Sequence, residues 1–171
     1  VHVLACAEEL GRVYQPALKV LSDLNPFACA AAELQPVDAG AWQPWMGQLR
    51  SNYARYTTPS PRQATLDPAR VIEALRDTLE PDAIVTNGAG NYSAWAHRYY
   101  PFSRPKTQLA PTSGAMGYGV PAAIAAKLQY PDRQVICLAG DGCFLMTSQE
   151  LATVKRHGLA IDLLFSTTAC T

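Results

Sequence analysis

Apolar positions fall into two rhythms along the chain, short unbroken runs and a three-to-four spacing, and the two alternate through most of its length. The densest run is Val135-Ile136-Cys137-Leu138-Ala139, closed by Gly140-Asp141-Gly142. A short apolar run bounded by glycine predicts a fully buried strand, here over 134–138. Shorter runs predict strands over 83–86 and 161–165. Between them the helical spacing takes over. Asp67 as N-cap and Pro68 in the first turn open a helix with Val71, Ile72, Leu75 and Leu79 on one face. Further helices are predicted over 91–100, stopped by Pro101, over the small-residue segment 117–130, and over 148–157. Regular alternation of strand and helix predicts an α/β fold, a mostly parallel sheet covered on both faces. Ligands on such sheets bind at the carboxyl ends of the strands, where the glycine turns of this chain lie.

The first third of the chain lacks this regularity. Segments 1–6 and 17–21 read as short strands, and Asn25-Pro26 as an N-cap and first-turn proline opening a helix through residue 34. Residues 40–56 space Trp42, Trp45, Met46, Leu49, Tyr53 and Tyr56 as a second helix, whose aromatics suit a packing surface better than a base-stacking platform. Thr57-Thr58-Pro59-Ser60-Pro61-Arg62 breaks both helix and ladder. The expected organisation is therefore a front piece over 1–56, a linker over 57–66 and an α/β domain over 67–171. Two strands and two helices cannot close a core of their own, so the front piece, which starts at Val1, reads as the tail of a further α/β domain.

Composition narrows the partners. Fourteen basic and fourteen acidic residues cancel, so no global field recruits nucleic acid or an anionic membrane. No apolar run is long enough to span a bilayer. Cys6, Cys29, Cys137, Cys143 and Cys170 are odd in number and form no C-x-x-C pair, which suits a reduced, cytoplasmic setting better than a zinc site or a disulfide framework.

Three glycine clusters carry the candidate chemistry. Asn87-Gly88-Ala89-Gly90-Asn91-Tyr92-Ser93 follows a strand and opens a helix, so backbone N–H groups can face an anion. It lacks the third glycine of a dinucleotide fingerprint and the acidic residue that would bind a ribose. No Asp or Glu occurs between Ala83 and Pro131, whereas Arg98, Arg104, Lys106 and Lys127 do, which favours a multiply charged anion over a nicotinamide dinucleotide. A plain tight turn between strand and helix fits the same segment. The second cluster, from Ser113 to Ala123, has no Gly-Lys-Ser/Thr ending and so is no P-loop. In the third, Asp141 between Gly140 and Gly142 stands at a strand mouth, where a carboxylate can hold Mg²⁺ while neighbouring amides meet phosphate oxygens; a helix cap or a salt-bridged turn is the bland alternative.

Together, Gly88-Ala89-Gly90-Asn91, the run Thr112-Ser113-Gly114-Ala115-Met116-Gly117-Tyr118-Gly119-Val120-Pro121-Ala122-Ala123, and Gly140-Asp141-Gly142 with Gln149-Glu150-Leu151-Ala152-Thr153 resemble the thiamine-diphosphate-dependent family that includes acetolactate synthase and benzoylformate decarboxylase. The similarity runs from about Asp67 onward, and the front piece, with Glu9-Leu10-Gly11-Arg12, resembles the end of that family's central domain. The resemblance implies an incomplete doubly wound sheet of the cofactor-binding kind. It implies that Gly90, Asn91 and Tyr92 meet the diphosphate, although acetolactate-synthase-type relatives often carry Gln-His where this chain has Asn91-Tyr92. Gly114 would offer its carbonyl to the aminopyrimidine and Met116 would prop the bent cofactor. Asp141 would ligate Mg²⁺, with Gly140 and the Gly142 and Cys143 amides at the phosphates. Met116 fits plain core packing equally, and Cys143 a small buried residue. The implied chemistry is carbanion formation on a 2-oxo acid with loss of CO₂, followed by protonation or carboligation, in a homo-oligomer whose activating glutamate comes from another domain. No residue of this chain is expected to fill that catalytic role, so no turnover is expected from it alone. Two alternatives stay open, an inert fragment without cofactor and a non-enzymatic α/β module for another phosphorylated ligand.

The family closes its metal motif with two asparagines, at the point where this chain has Thr167 and Thr168. A back-translation of 165–171 shifted by one base reads Phe-Asn-Asn-Gly-Met-Tyr, so a frameshift is the expected origin of the two threonines. Sequencing the coding DNA is expected to find codons that permit this shifted reading; codons incompatible with it would exclude the frameshift.

Overall fold

The computed structural model describes residues 1–60 and 66–167. Two compact units divide the chain, Val1–Gln48 and Leu49–Thr171. The division lies earlier than the 57–66 linker expected from the prolines, inside the helix over Gln43–Thr57. Pro61 and Arg62 of that linker lie outside the described residues.

In the first unit β1 (His2–Leu4) and β2 (Lys19–Leu21) pair in parallel, His2 opposite Lys19. α1 spans Leu24–Ala32, two residues before the expected start, because Asp23 and not Asn25 holds the extended N-cap position. α2 spans Gln43–Thr57 after a 3₁₀ turn at Gly40–Trp42. Among the described residues 1–48 only Gly11 is buried, so this unit has no apolar core. The aromatics expected to form a packing surface stand open: Trp45 is 61% and Tyr53 62% exposed.

The second unit holds the core. Its sheet has the order β4-β3-β5-β6, all parallel, with β3 at Ile84–Asn87, β4 at Gln108–Leu109, β5 at Val135–Gly140 and β6 at Asp162–Ser166. Every residue of β3 and β5 is buried. Because successive side chains alternate between faces, Ile84, Val135, Cys137 and Ala139 pack with Val120, Ala123, Ile124 and Ala126 of α5 (Gly119–Gln129). The other face sets Val85, Ile136 and Leu138 against Ala69 and Ile72 of α3 (Pro68–Thr78) and Ala96 and Tyr99 of α4 (Ser93–Tyr99). The expected doubly wound α/β arrangement is thus formed, with helices on both faces.

Local signals account for most of the boundaries. The Asp67 carboxylate accepts the Ala69 N–H at 3.0 Å and caps α3 as expected. Gly158, at φ +59, takes the left-handed residue that ends α7 (Leu151–His157). Two elements escaped the sequence pattern: the two-residue β4, and α6 (Asp141–Leu145), which begins directly on the glycine turn with Gly140 as its N-cap.

The four basic residues expected to favour an anion at the glycine turns do not gather there. Arg98 donates from Nε to the Tyr56 carbonyl at 2.7 Å, and its guanidinium lies 3.9 Å over the Tyr56 ring. Lys127 donates to the Arg133 carbonyl at 2.7 Å. Arg133 in turn donates to the Asp82 carbonyl at 2.7 Å, and to the Lys106 carbonyl. Arg104 and Lys106 precede β4, so with Lys127 they sit at the amino ends of the strands, opposite the glycine turns. Proximity in sequence did not translate into proximity in space.

Replacing Ile84 by alanine is expected to cost about 2–5 kcal/mol, read from the urea midpoint, since the cavity opens between fully buried strands. Burial also pushes the Cys137 thiol and the Tyr92 and Tyr100 phenols above their ordinary values of 9.0 and 10.0. Acids held neutral in this way stabilise the fold fully below the unfolded-state value and lose that contribution as pH rises past it. Thermal melts from pH 7 to 11 are therefore expected to show a midpoint that falls beyond about pH 9, and Cys137→Ala should delay the onset toward the phenol range.

Candidate functional site

The sheet order fixes where a ligand can enter. From β3 the chain passes through α4 to β4 on one side, then returns through α5 to β5 on the other. The carboxyl ends of β3 and β5 therefore flank a topological switch point, the crevice where open parallel sheets bind ligands. The loop after β3 and the start of α6 after β5 form its two walls. The segment 114–118 lies at its third side, tied in by Thr147, whose hydroxyl donates to the Gly117 carbonyl at 3.0 Å.

Side-chain hydrogen bonds hold these walls in register. Thr86, fully buried at the end of β3, donates to the Gly119 carbonyl at 2.8 Å and so pins the start of α5. Asn87 is 1% exposed; its Nδ2 donates to the Gly88 carbonyl at 2.7 Å, and its Oδ1 lies 3.4 Å from His97 Nε2. Both groups fix the backbone at the moment the chain leaves the sheet. At Gly88 the walls are close: a Cβ there would stand 2.1 Å from Cys143 Sγ and 3.1 Å from the Tyr92 hydroxyl, so any side chain would have to displace the sulfur.

Tyr92 lies across the crevice. The Gly88 N–H donates to its phenol oxygen at 3.0 Å, and the phenol O–H donates to Cys143 Sγ at 3.3 Å. Its ring covers two glycines: a Cβ on Gly140 would meet Cδ1 at 2.9 Å, and one on Gly90 would meet Cε1 at 2.7 Å. Burial pushes the phenol well up and the bond to Cys143 adds to this, while the backbone of Gly88 and Gly140 pulls the other way. The phenol is thus neutral and a donor throughout the physiological range. Cys143, 4% exposed, accepts a second hydrogen bond from the Gly117 N–H at 3.1 Å, so its sulfur is the knot between all three loops.

The nine residues singled out from the sequence divide in two. Gly90, Tyr92, Gly140, Gly142, Cys143 and Met116 converge on the crevice. The Met116 Cε lies 3.6 Å from the place of a Gly142 Cβ, and Met116 is 46% exposed, which sets aside plain core packing. Gly114 is exposed at φ +70, and Asn91 is exposed with its carbonyl accepting the Ala94 N–H at 3.3 Å. Asp141 is exposed in the first turn of α6. The sequence pattern did not single out Gly88, Gly117, Asn87 and Thr147, although Asn87, Gly88 and Gly117 lie inside the glycine clusters and the buried amides of the two glycines donate to Tyr92 and Cys143.

The donor set suits an anion carried on backbone amides, with a metal ion shared between ligand and one carboxylate. Mg²⁺ needs no more than one or two protein carboxylates when phosphates and water fill its shell. No group of three or more His, Cys, Asp or Glu able to hold a metal occurs among the described residues, and Asp141 is the acidic residue in the first turn of α6. The register pairs Gly140 with Ser166, so the chain leaves β6 at Thr167 beside the point where it leaves β5 at Asp141. Thr168 lies outside the described residues. Cys6, Cys29, Cys137 and Cys143 are free thiols. No described helix is long and apolar enough to cross a membrane.

Comparison with known proteins places the chain in a family. Residues 88–165 match the family described as "Thiamine pyrophosphate enzyme, C-terminal TPP binding domain", a stretch that begins on the first glycine turn and ends in β6. The acetolactate synthase large subunit of Lactococcus lactis is 32% identical over 164 residues, which is 95% of this chain and 28% of the relative. The acetolactate synthase isozyme 1 large subunit of Escherichia coli is 31% identical over 169 residues, 96% of this chain and 29% of the relative. An acetolactate synthase of Mycobacterium avium is 36% identical over 171 residues, 95% and 27% respectively. The chain thus spans a little over a quarter of the length of these relatives. With a parallel sheet whose glycine loops meet at the switch point, the chain belongs to the thiamine-diphosphate-dependent enzyme family and carries the TPP-binding domain of its acetolactate synthase-like members.

Proposed function

We propose that this chain is the part of a 2-oxo acid carboligase or decarboxylase, of the acetolactate synthase kind, that holds thiamine diphosphate together with Mg²⁺. The observation that carries the reading is the convergence of Gly88, Gly90, Gly140 and Gly142 on one crevice with a single carboxylate, Asp141, at its lip. When bound, the cofactor would supply the carbanion-stabilising chemistry that breaks the bond to a 2-oxo acid carboxylate. The protein's share is to bind and orient. Backbone amides at Gly90, Asn91 and Tyr92, and at Gly140, Gly142 and Cys143, would take the diphosphate oxygens. Asp141 would take Mg²⁺, Gly114 the aminopyrimidine through its carbonyl, and Met116 the underside of the cofactor. The exposure of Met116 beside Gly142 supports that last role.

None of the three glycine loops at the crevice contains a glutamate, and Glu150, at the 3₁₀ turn before α7, accepts the Thr153 hydroxyl at 3.3 Å. Binding without turnover is therefore the activity proposed for these residues alone. Homo-oligomeric assembly and a cytoplasmic location belong to the same proposal, carried by the resemblance to intact relatives. A second reading, a chain that holds no cofactor, draws on Thr167 in place of a metal-binding asparagine.

Calorimetric titration with thiamine diphosphate separates the two. Mg²⁺-dependent binding is expected, and Asp141→Ala should weaken it at least about tenfold, the loss of one charged metal ligand. Absence of heat with either protein would favour the chain without cofactor, and binding of other phosphates alone would favour a general phosphate-ligand module. Purified chain with thiamine diphosphate, Mg²⁺ and pyruvate is expected to release no CO₂; measurable release would overturn the assignment of turnover to residues elsewhere.

A further inference from the structure

The phenol of Tyr92 stands on the ground that an anion would need. It accepts the Gly88 N–H, the first amide beyond β3, and its ring covers Gly140 at the end of β5. A ring over a glycine with Cβ-to-ring distances near 3 Å leaves no room for a phosphate at the same place. Among the described residues the hydroxyl is tied by hydrogen bonds to Gly88 and to Cys143, with the Gly140 backbone also drawn to it. Each is worth roughly one power of ten or less against solvent. Next to the ring lies an apolar cavity of about 300 Å³, which Tyr92 itself lines together with Ile72, Trp95, Leu138, Leu164 and Phe165. A tyrosine side chain that left the crevice would find apolar surface there rather than water.

We propose that Tyr92 is a built-in plug of the crevice, whose phenol must give up the Gly88 amide and swing off Gly140 before a diphosphate can seat between β3 and β5. This rests on the cofactor reading for the identity of the ligand, but the competition for one amide is a property of the chain itself. The plug sets an affinity threshold. A ligand that takes the Gly88 amide in addition to the loop amides assigned to the diphosphate above displaces the phenol, whereas a monophosphate that takes one amide merely exchanges one acceptor for another.

The test uses the whole 171-residue chain as wild type, Tyr92→Phe and Tyr92→Ala, each checked for folding by circular dichroism. Calorimetric titrations use inorganic diphosphate and thiamine diphosphate in separate arms, both with excess Mg²⁺, and hydrogen exchange at the Gly88 amide is followed by NMR. Tyr92→Phe keeps the ring and removes the hydroxyl with its hydrogen bonds, so it is expected to bind inorganic diphosphate about tenfold more tightly than wild type. Its Gly88 amide should exchange faster without ligand and regain protection when diphosphate is added. Tyr92→Ala should bind at least as tightly as Tyr92→Phe; if it does not fold, Tyr92→Phe carries the test. Equal or weaker binding by Tyr92→Phe, equal protection of Gly88 in the two proteins, or no diphosphate binding by any of them would overturn the plug. Tighter inorganic diphosphate binding with no thiamine diphosphate binding would leave the plug standing and remove the cofactor reading. Equal thiamine diphosphate binding by all three would do the reverse.

Discussion

The parallel pairing of β3 with β5, Ile84 opposite Val135 through Asn87 opposite Leu138, is the constraint from which the rest of this molecule follows. Both strands are buried on both faces, so each must be apolar throughout and each must have helices above and below. α5 covers one face and α3 with α4 the other. The same pairing brings the chain out of β3 at Gly88 and, two residues further along the register, out of β5 at Asp141 on the same carboxyl edge, with β4 on the far side of β3. A crevice lined by backbone is thus a consequence of the strand order before any side chain is chosen.

What the side chains add is proximity. The walls approach so closely at Gly88 that only hydrogen can occupy its side-chain position beside Cys143. Tyr92 and Gly117 both donate to the Cys143 sulfur, so a small, polarisable atom at the start of α6 joins the two other loops to it. Charge is nearly absent from this centre. The neighbouring arginines and lysines are committed to carbonyls and rings elsewhere, as with Arg98 on Tyr56 and Arg133 on Asp82, so an anion here would be held by amides and by a metal ion at Asp141 rather than by cationic side chains.

The α/β order, the helix cap at Asp67 and the buried strands were legible because each depends on a few neighbouring residues: an acid before a proline, a run of branched side chains, a glycine after it. The glycine clusters were legible as a group for the same reason. Features set by tertiary geometry were not legible in the same way. Arg98 and Lys127 lie near the clusters in sequence, yet helix direction carries them away from the crevice. α6 was hidden because Gly140 and Gly142 read as turn residues, although a glycine N-cap starts a helix without difficulty. The aromatic face of α2 was read as packing surface, but periodicity shows only that side chains share a face, not that anything within the same chain covers it. Tyr92 illustrates the limit most sharply, since its position in a candidate anion loop was clear and the inward turn of its ring was not.

The central claim is that the β3–β5 crevice, and no other surface of this chain, receives a diphosphate. Mapping backbone amide shifts of the isotopically labelled chain during titration with thiamine diphosphate and Mg²⁺ tests it directly. The largest changes should fall on Gly88, Gly90, Gly142 and Cys143, with the amino-edge residues Arg104, Lys106 and Arg133 unmoved. Shifts centred on those basic residues, or spread evenly over the surface, would contradict the account.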